Sequence, residues 1–543
     1  MTPLKLLLPL LSVLLLPVAA LAQTEMAADK ACAALTSAGF EGIVGAPTRI
    51  VSARLQDVPA QGLAQPPGPM TFPLGASPVK QFCQVSGYVA PQNAFELRLP
   101  VAANWNGKFF FSACAGFCGT LNATACNAGL ARGYASVTTN GGHNSAPGFD
   151  GLWARDAPDL QEDFAWRGNH VVTLAAKAIT SRFYNRPIQH SYMAGCSKGG
   201  QAVLMEAERF PDDFDGLIAA APVYDYTGRS VIAGAWFAQA VSDGKGGSVL
   251  TGAVADAVHR SVLKLCGAQA GVEEGLVTDP LSCGWKPEMI ACATDASMPD
   301  CLNPEQVRAI ARLMSPPVNS KGDVLFAYPY LPGTETEWQR WNYTDPARSA
   351  EAARIVGSPA EAGNSQVAQQ YLRYLVDAQS HDAADPLRYD FDRDPVQLAR
   401  ARALYDASSP DLHAFKAAGG KLLMWHGLAD SGISAMSSVG YYRNVAQAMG
   451  GMPETDDFLR LFLVPGVHHC GGGPGPSELD TLSALEGWVE RGQAPDVIVA
   501  QRSVNGVVER TRPVYPYPAQ ARYSGQGDPM RADSYVRSNA TVQ

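Results

Sequence analysis

Residues 192–202 read YMAGCSKGGQA, a Gly-x-Ser-x-Gly pattern from Gly195 to Gly199 in which Cys196 stands directly before Ser197. A serine hydroxyl attacks a carbonyl only when a base takes its proton and a third group fixes the tautomer of that base. Asp430 in HGLADSGIS and His469 in VHHCGGGPG supply both types downstream. His468 and His426 are rival bases, and Asp430 also reads as a carboxylate that caps a turn. The backbone N–H of Lys198, first in the segment after the serine, can point at a developing oxyanion. Cys470 adjoins His469 as Cys196 adjoins Ser197, so a bridge between these cysteines would put hydroxyl and imidazole side by side. Such a staple closes a loop of about 270 residues, worth roughly 5 kcal/mol by chain entropy alone, and it orients the base. Two unrelated buried cysteines are the plainer alternative.

The elements around these residues follow from periodicity. Gln81 to Val137 carries strand-like runs, QFCQVSGYV, FELRLPV and KFFFSAC, separated by Pro, Asn and Gly. A helical stretch from Gly168 to Phe183 leads to the short apolar strand QHSYMAG, then the serine turn, the helical QAVLMEAERFP and the strand-like FDGLIAAAPV. Strand, helix, strand alternation means an α/β fold with a parallel sheet covered by helices. A Gly-x-Ser-x-Gly turn between strand and helix, followed by Asp and then His at later strand ends, is the order of an α/β-hydrolase. The strands KLLMWHG and FLRLFLVPG precede Asp430 and His469, and the helix TLSALEGWVERG follows. Between Pro222 and these strands the texture turns irregular and rich in Trp and Tyr. The predicted organisation is therefore a signal peptide over 1–22, core over 23–223, an inserted lid domain over 224–408 and core again over 409–543.

The chain of 543 residues is 46% hydrophobic and 17% charged, enough to bury a large core. With a net charge of -9 and no Lys/Arg-rich run it offers no electrostatic footprint for nucleic acid. The N-terminus has one lysine, an apolar run from Leu6 to Val18 and the small-x-small triplet Ala20-Leu21-Ala22, the pattern of a cleaved signal peptide. A mature chain starting at Gln23 is expected to be secreted or periplasmic, without a membrane partner; an uncleaved anchor is disfavoured because the run is shorter than the ~20 residues a span needs. In an oxidising compartment the 11 cysteines read as bridges with one left over. Cys266 with Cys283 and Cys292 with Cys301 close short loops, and Cys32 with Cys83 fastens the N-terminal segment to the first strands. Cys114, Cys118 and Cys126 share one Gly/Ala-rich stretch whose pairing is open. Zinc is disfavoured there, because no histidine pair lies nearby.

GCSKGG, HGLAD and VPGVHHCGGGPG together resemble the Cys-Ser, Asp, His-Cys arrangement of the tannase and feruloyl esterase family, a family that includes mono(2-hydroxyethyl) terephthalate hydrolase. NWNGKFFF, TNGGH, FPDDFDGLIAAAP and RTRPVYPYP extend the resemblance over most of the mature chain. It implies an α/β-hydrolase core with a large lid inserted after the sixth strand, and ester hydrolysis through an acyl-enzyme. His469 would take the proton of Ser197, Asp430 would steady the imidazolium, and the N–H groups of Lys198 and Gly116 would hold the oxyanion. The family lid usually carries a calcium loop; here it reads CGAQAGVEEGLVTDP, with Gly267 and Ala270 in place of carboxylates and Glu274 remaining. That leaves too few charged oxygens for a cation that takes six to eight ligands, so no metal and no cofactor are expected.

Substrate class rests on weaker signals. Trp338, Trp341, Tyr371 and Tyr374 are candidates for stacking on a planar acyl group, or for plain lid core. The terephthalate half-ester enzymes hold a free carboxylate with a lid arginine; here Leu372 stands in that register with Arg373 beside it, and Ile433 replaces a phenylalanine. Small aromatic esters of the hydroxycinnamoyl (feruloyl) or galloyl type are therefore expected ahead of the terephthalate half-ester. A catalytically silent exported binding protein and a secreted peptidase are readings from other classes. The complete Ser-Asp-His set argues against the first, and the aromatic-rich lid suits a small planar ester better than the extended chain of the second.

Overall fold

The computed structural model describes residues 27–65, 77–146, 148–293, 300–343 and 363–539. The expected signal peptide lies outside them. Nine strands form one sheet: β1 (Thr48–Asp57), β2 (Gln81–Val89), β3 (Asn93–Pro100), β4 (Lys108–Ser112), β5 (Ala135–Thr139), β6 (His190–Cys196), β7 (Gly216–Ala220), β8 (Lys421–Gly427) and β9 (Leu459–Val464). Their order is β1-β2-β3-β5-β4-β6-β7-β8-β9. The β1-to-β5 half pairs antiparallel, and everything from β5 through β4 to β9 is parallel. The parallel strands are buried on both faces and read as unbroken apolar runs: Phe109, Phe110 and Phe111 in β4 are all fully buried. On one face lie α1 (Gly168–Tyr184) and α2 (Lys198–Arg209), and on the other α8 (Thr481–Arg491), whose Leu482, Leu485 and Trp488 join the core under β7 and β8.

The chain leaves the sheet after β7 and re-enters at β8. The segment between carries α3 (Gly234–Val241), α4 (Gly252–Cys266), α5 (Pro304–Leu313) and α6 (Gly363–Tyr374), and α7 (Ala435–Ala448) follows β8. Helices α3 to α6 gather around their own apolar cluster, which includes Trp338, Tyr330, Phe237 and Tyr371. Two hairpins close the chain: β10 (Ile498–Val504) with β11 (Val507–Val514), and β12 (Ala519–Tyr523) with β13 (Tyr535–Asn539). Among the described residues no helix is long and apolar enough to cross a membrane.

Five disulfides are formed: Cys32–Cys83, Cys114–Cys118, Cys196–Cys470, Cys266–Cys283 and Cys292–Cys301. The odd cysteine is Cys126, fully buried, where burial pushes its thiol up to about 12.

Candidate active site

β6 runs into α2 through a single residue, Ser197, whose φ of 63° lies in the left-handed region. A serine tolerates this conformation only where the surroundings hold it. Ser197 N donates to Ala220 O at 3.0 Å, and its carbonyl accepts from Gln201 N at 3.0 Å, so the turn is fixed on both sides. Gly195 and Gly199 allow the sharp reversal: a Cβ on Gly195 would sit 2.3 Å from Gly199 O, and one on Gly199 would sit 2.9 Å from Cys114 O. The first amide of α2 belongs to Lys198, at the positive end of the helix dipole. Its side chain turns inward, with Nζ 4.6 Å from the ring centre of Phe164, and burial lowers its pKa to about 7.

The base arrives from the other side of the sheet. His469 follows β9 and donates from Nδ1 to Asp430 Oδ2 at 2.7 Å. This fixes the tautomer and leaves Nε2 as the acceptor. Asp430 follows β8 and is 1% exposed; its Oδ1 accepts from Ile433 N at 2.7 Å, and its Oδ2 accepts a second bond from His426 Nε2 at 3.0 Å. Burial alone would raise its pKa, but the two imidazoles and their hydrogen bonds win and hold it well below the usual carboxylate range. The Cys196–Cys470 bridge, with an S–S distance of 2.03 Å, ties the residue before Ser197 to the residue after His469. Ser197 and His469 line one cavity. Among the described residues the Ser197 hydroxyl forms no hydrogen bond to the imidazole, a contact that commonly tightens only with substrate.

Gly116, Lys198, Phe149, Tyr226, Arg229 and Trp341 complete most of the wall of that cavity, whose volume is about 30 Å³. This holds about two water molecules. Gly116 sits at φ 64° in a loop closed by the Cys114–Cys118 disulfide and braced by His143, which lies 2.9 Å through Nε2 from Phe117 O. A hydroxyl at a strained turn, an imidazole oriented by a buried carboxylate, and amides of Gly116 and Lys198 in one cavity are the parts that acyl transfer requires.

The description "tannase and feruloyl esterase" matches residues 77–538 of this sequence. The chain belongs to the tannase and feruloyl esterase family. It is a carboxylic ester hydrolase of α/β-hydrolase type. It is 34% identical to mono(2-hydroxyethyl) terephthalate hydrolase of Piscinibacter sakaiensis over 83% of this chain and 84% of that one. A probable feruloyl esterase B-2 of Aspergillus flavus is 30% identical, over 78% and 80% of the respective chains. The crystal structure of feruloyl esterase B from Aspergillus oryzae superposes with a TM-score of 0.78 at 25% identity, covering 94% of this chain and all (100%) of that one.

In the esterase, the four aromatic residues singled out from the inserted segment part company. Trp341 faces His469, with ring centres 5.4 Å apart and nearly perpendicular. Trp338 is buried with its Nε1 on Thr334 Oγ1, Tyr371 bonds Thr227, and Tyr374 packs beside Arg155. Those three belong to the apolar cluster of the inserted segment. Leu372 and Arg373 do not line the cavity; Arg373 Nε donates to Ala384 O. Of the rival histidines, His468 meets Thr336 Oγ1 of the inserted segment at 2.7 Å, and His426 bonds Asp430 Oδ2.

Three contributions went unread in the sequence. Arg229 lines the cavity, Glu337 from the inserted segment bonds the loops of both Asp430 and His469, and Phe149 lines the wall beside Gly116. None belongs to a short motif, so only the closure of the fold reveals them. The polar groups of the 266–283 loop, expected from the resemblance to be a remnant of a calcium site, are taken by protein partners. Glu274 accepts from Arg512 and from Tyr535 Oη at 2.9 Å, its carbonyl accepts from Arg510 Nη2 at 3.1 Å, and Ala270 O accepts from Tyr523 N at 2.8 Å. These residues do not fit a hard cation: the remaining carboxylate is already paired with a guanidinium, and a second guanidinium adjoins it.

Proposed function

We propose that this chain is an exported serine esterase that hydrolyses small esters of aromatic acids through an acyl-enzyme. The observation that carries the reading is the His469–Asp430 pair stapled through Cys196–Cys470 beside Ser197. In this mechanism Ser197 Oγ attacks the ester carbonyl while its proton passes to His469 Nε2. The tetrahedral oxyanion faces the amides of Lys198 and Gly116. His469 returns the proton to the departing alcohol, and water repeats the two transfers to release the acid. Asp430, ionised and buried, stabilises the imidazolium of each step. The signal-like segment at 1–22 and five disulfides support secretion or passage to the periplasm. No cofactor is needed, and we propose that the 266–283 loop binds no calcium.

The names of the fungal relatives and the leucine at position 372 favour hydroxycinnamoyl or galloyl esters. One observation favours a second reading, the terephthalate half-ester of the relative from Piscinibacter sakaiensis: a buried guanidinium, that of Arg229, lines the cavity. The deciding experiment for the esterase itself is burst kinetics on a p-nitrophenyl ester of an aromatic acid. Wild type should release one equivalent of p-nitrophenol rapidly, and Ser197→Ala should lose turnover while keeping its melting temperature. A silent binding protein shows no burst, and normal turnover by Ser197→Ala means the nucleophile is another residue.

A further inference from the structure

Gly116 lines the cavity beside Ser197 and Lys198, and among the described residues no acceptor meets its amide. The two amides that follow it are taken: Phe117 N donates to Gly148 O at 3.1 Å, and Cys118 N donates to Ala115 O at 3.0 Å. The second bond closes a turn from Ala115 to Cys118 whose first central residue, Gly116, has a φ of 64°. A positive φ there suits glycine, which is equally free to leave it. The run Ala113-Cys114-Ala115-Gly116 offers no long side chain to hold the turn, and Ala115 is exposed. Tyr226 Oη reaches Gly116 O only at 3.4 Å.

The Cys114–Cys118 disulfide spans this turn, and its two ends rest on different parts of the site. Cys114 stands on the nucleophile's side. Ala113 N donates to Ala194 O at 2.9 Å, which continues the pairing of β4 with β6, and a Cβ on Gly199 would come within 2.9 Å of Cys114 O. Cys118 stands against the loop after β5: Gly119 N donates to Asn140 O at 2.8 Å, and a Cβ on Gly141 would come within 2.8 Å of Cys118 Cβ and 3.1 Å of both sulfurs. The bridge thus packs on bare backbone at Gly141 while its other end abuts the first turn of α2. Cys118 has a φ of 57°, which a residue other than glycine keeps only where the surroundings hold it. Of the five bridges this one closes the shortest loop, a separation of 4 residues against 9 to 274 for the others, so it removes the least chain entropy from the unfolded state. Its position, more than its contribution to stability, sets it apart.

We propose that the Cys114–Cys118 disulfide is a positioning device for the reaction: it fixes the Gly116 N–H on the tetrahedral oxyanion. Its loss lowers turnover while the Ser197, His469 and Asp430 set and ground-state binding stay intact. This rests on the esterase reading and adds to it a residue pair that touches neither substrate nor reacting atoms. The competing role is a surface staple that contributes stability alone.

Cys114→Ala/Cys118→Ala separates the two. On p-nitrophenyl benzoate its kcat should fall by at least about tenfold, short of the roughly 100- to 1,000-fold that loss of a whole oxyanion donor costs, with KM changed less than about threefold. A pair of ketones then reads the oxyanion itself. Trifluoroacetophenone takes Ser197 Oγ onto its carbonyl carbon, the hydroxyl proton passes to His469 Nε2, and the former carbonyl oxygen becomes the oxyanion; acetophenone shares the ring and forms no stable adduct. The double variant should bind the first ketone more weakly by the factor lost from kcat, and the second as wild type does. A variant that melts earlier but keeps its kcat and its affinity for trifluoroacetophenone makes the bridge a staple and overturns the proposal, as do equal losses on both ketones. Should the double alanine variant fail to fold, Cys114→Ala/Cys118→Gly takes its place, because glycine adopts the φ of 57° at position 118 without strain. Peptide mapping that joins Cys114 or Cys118 to Cys126 in wild type also overturns the proposal. An active wild type matched by the double variant sinks only this inference. A wild type that cleaves no p-nitrophenyl ester sinks the esterase reading itself.

Discussion

At the scale of single residues, Glu337 does work that its position in the chain does not announce. It belongs to the segment inserted between β7 and β8 and is 4% exposed, yet its Oε1 accepts from His469 N at 3.1 Å and its Oε2 accepts from Ser431 N at 2.8 Å. One carboxylate thus spans the loop after β8, which carries Asp430, and the loop after β9, which carries His469. Arg340 Nη1, 3.2 Å from Oε1, offsets its charge. Removing it leaves two buried N–H groups unpaired, at about 1–3 kcal/mol each, and loosens the imidazole relative to Ser197. Glu337→Ala should therefore lower kcat by about 10- to 100-fold with a smaller change in KM. Glu337→Gln, which keeps one carbonyl oxygen, should recover part of the loss. Steady-state kinetics beside a thermal melt checks this. A Glu337→Ala enzyme that melts earlier but turns over normally would reduce Glu337 to a structural clamp.

Among the elements, what the sequence disclosed and what it hid divide along physical lines. The β6–turn–α2 unit is legible because an apolar strand, two obligatory glycines and an amphipathic helix are local properties. β1 shows the same kind of signal, alternating buried Thr48, Ile50 and Ala53 with exposed Arg49, Val51 and Arg54, and a reading that begins at Gln81 passes over it. The short helical turns of the inserted segment are illegible for a different reason: they are held by packing and by side chains far away in sequence, as Glu335 is by His259 and Glu337 by Ser431. The cavity is legible in its nucleophile, acid and base, which sit in glycine-rich motifs. It is not legible in Arg229 or Glu337, whose roles arise only when distant segments meet. The 266–283 loop shows the same limit. Its missing carboxylates are visible in the sequence, but the partner of Glu274 is not, since Arg512 lies 238 residues away. Both side chains of that pair are 2% exposed, so breaking it strands a buried charge at about 3–5 kcal/mol. Arg512→Ala should lower the melting temperature, and added calcium or chelator should leave wild type unchanged. Calorimetry that finds stoichiometric calcium binding, lost in Glu274→Ala, would mean the loop still takes the ion.

Across the whole molecule, the inserted segment returns to the core over residues 405–409, against the end of α2. Two carboxyl groups sit in that seam. Glu208, on α2, accepts from Ser409 N at 3.1 Å, and Asp406 accepts from Thr227 N at 2.8 Å. Burial pushes both up to about 8; Asp225 adds to the effect at Asp406, while Arg209 and the Ser409 bond oppose it at Glu208. An acid whose pKa is higher folded than unfolded is protonated in the native state where the unfolded chain has already ionised. Between about pH 4.5 and 8 the native state then binds more protons than the unfolded state, so stability falls as pH rises through this window and levels off above it. Asp430 works in the opposite sense and at acid pH, its depressed pKa costing stability only as it becomes protonated. A comparison of variant with wild type isolates the seam from such terms. Glu208→Gln keeps an acceptor for Ser409 N and removes the ionisation, so its melting temperature relative to wild type should rise by about 1–4 °C between pH 5 and pH 9. A difference that stays constant over that range, or falls, would show that Glu208 ionises as freely in the folded enzyme as in the unfolded chain and that the seam carries no protonation-dependent hold on the inserted segment.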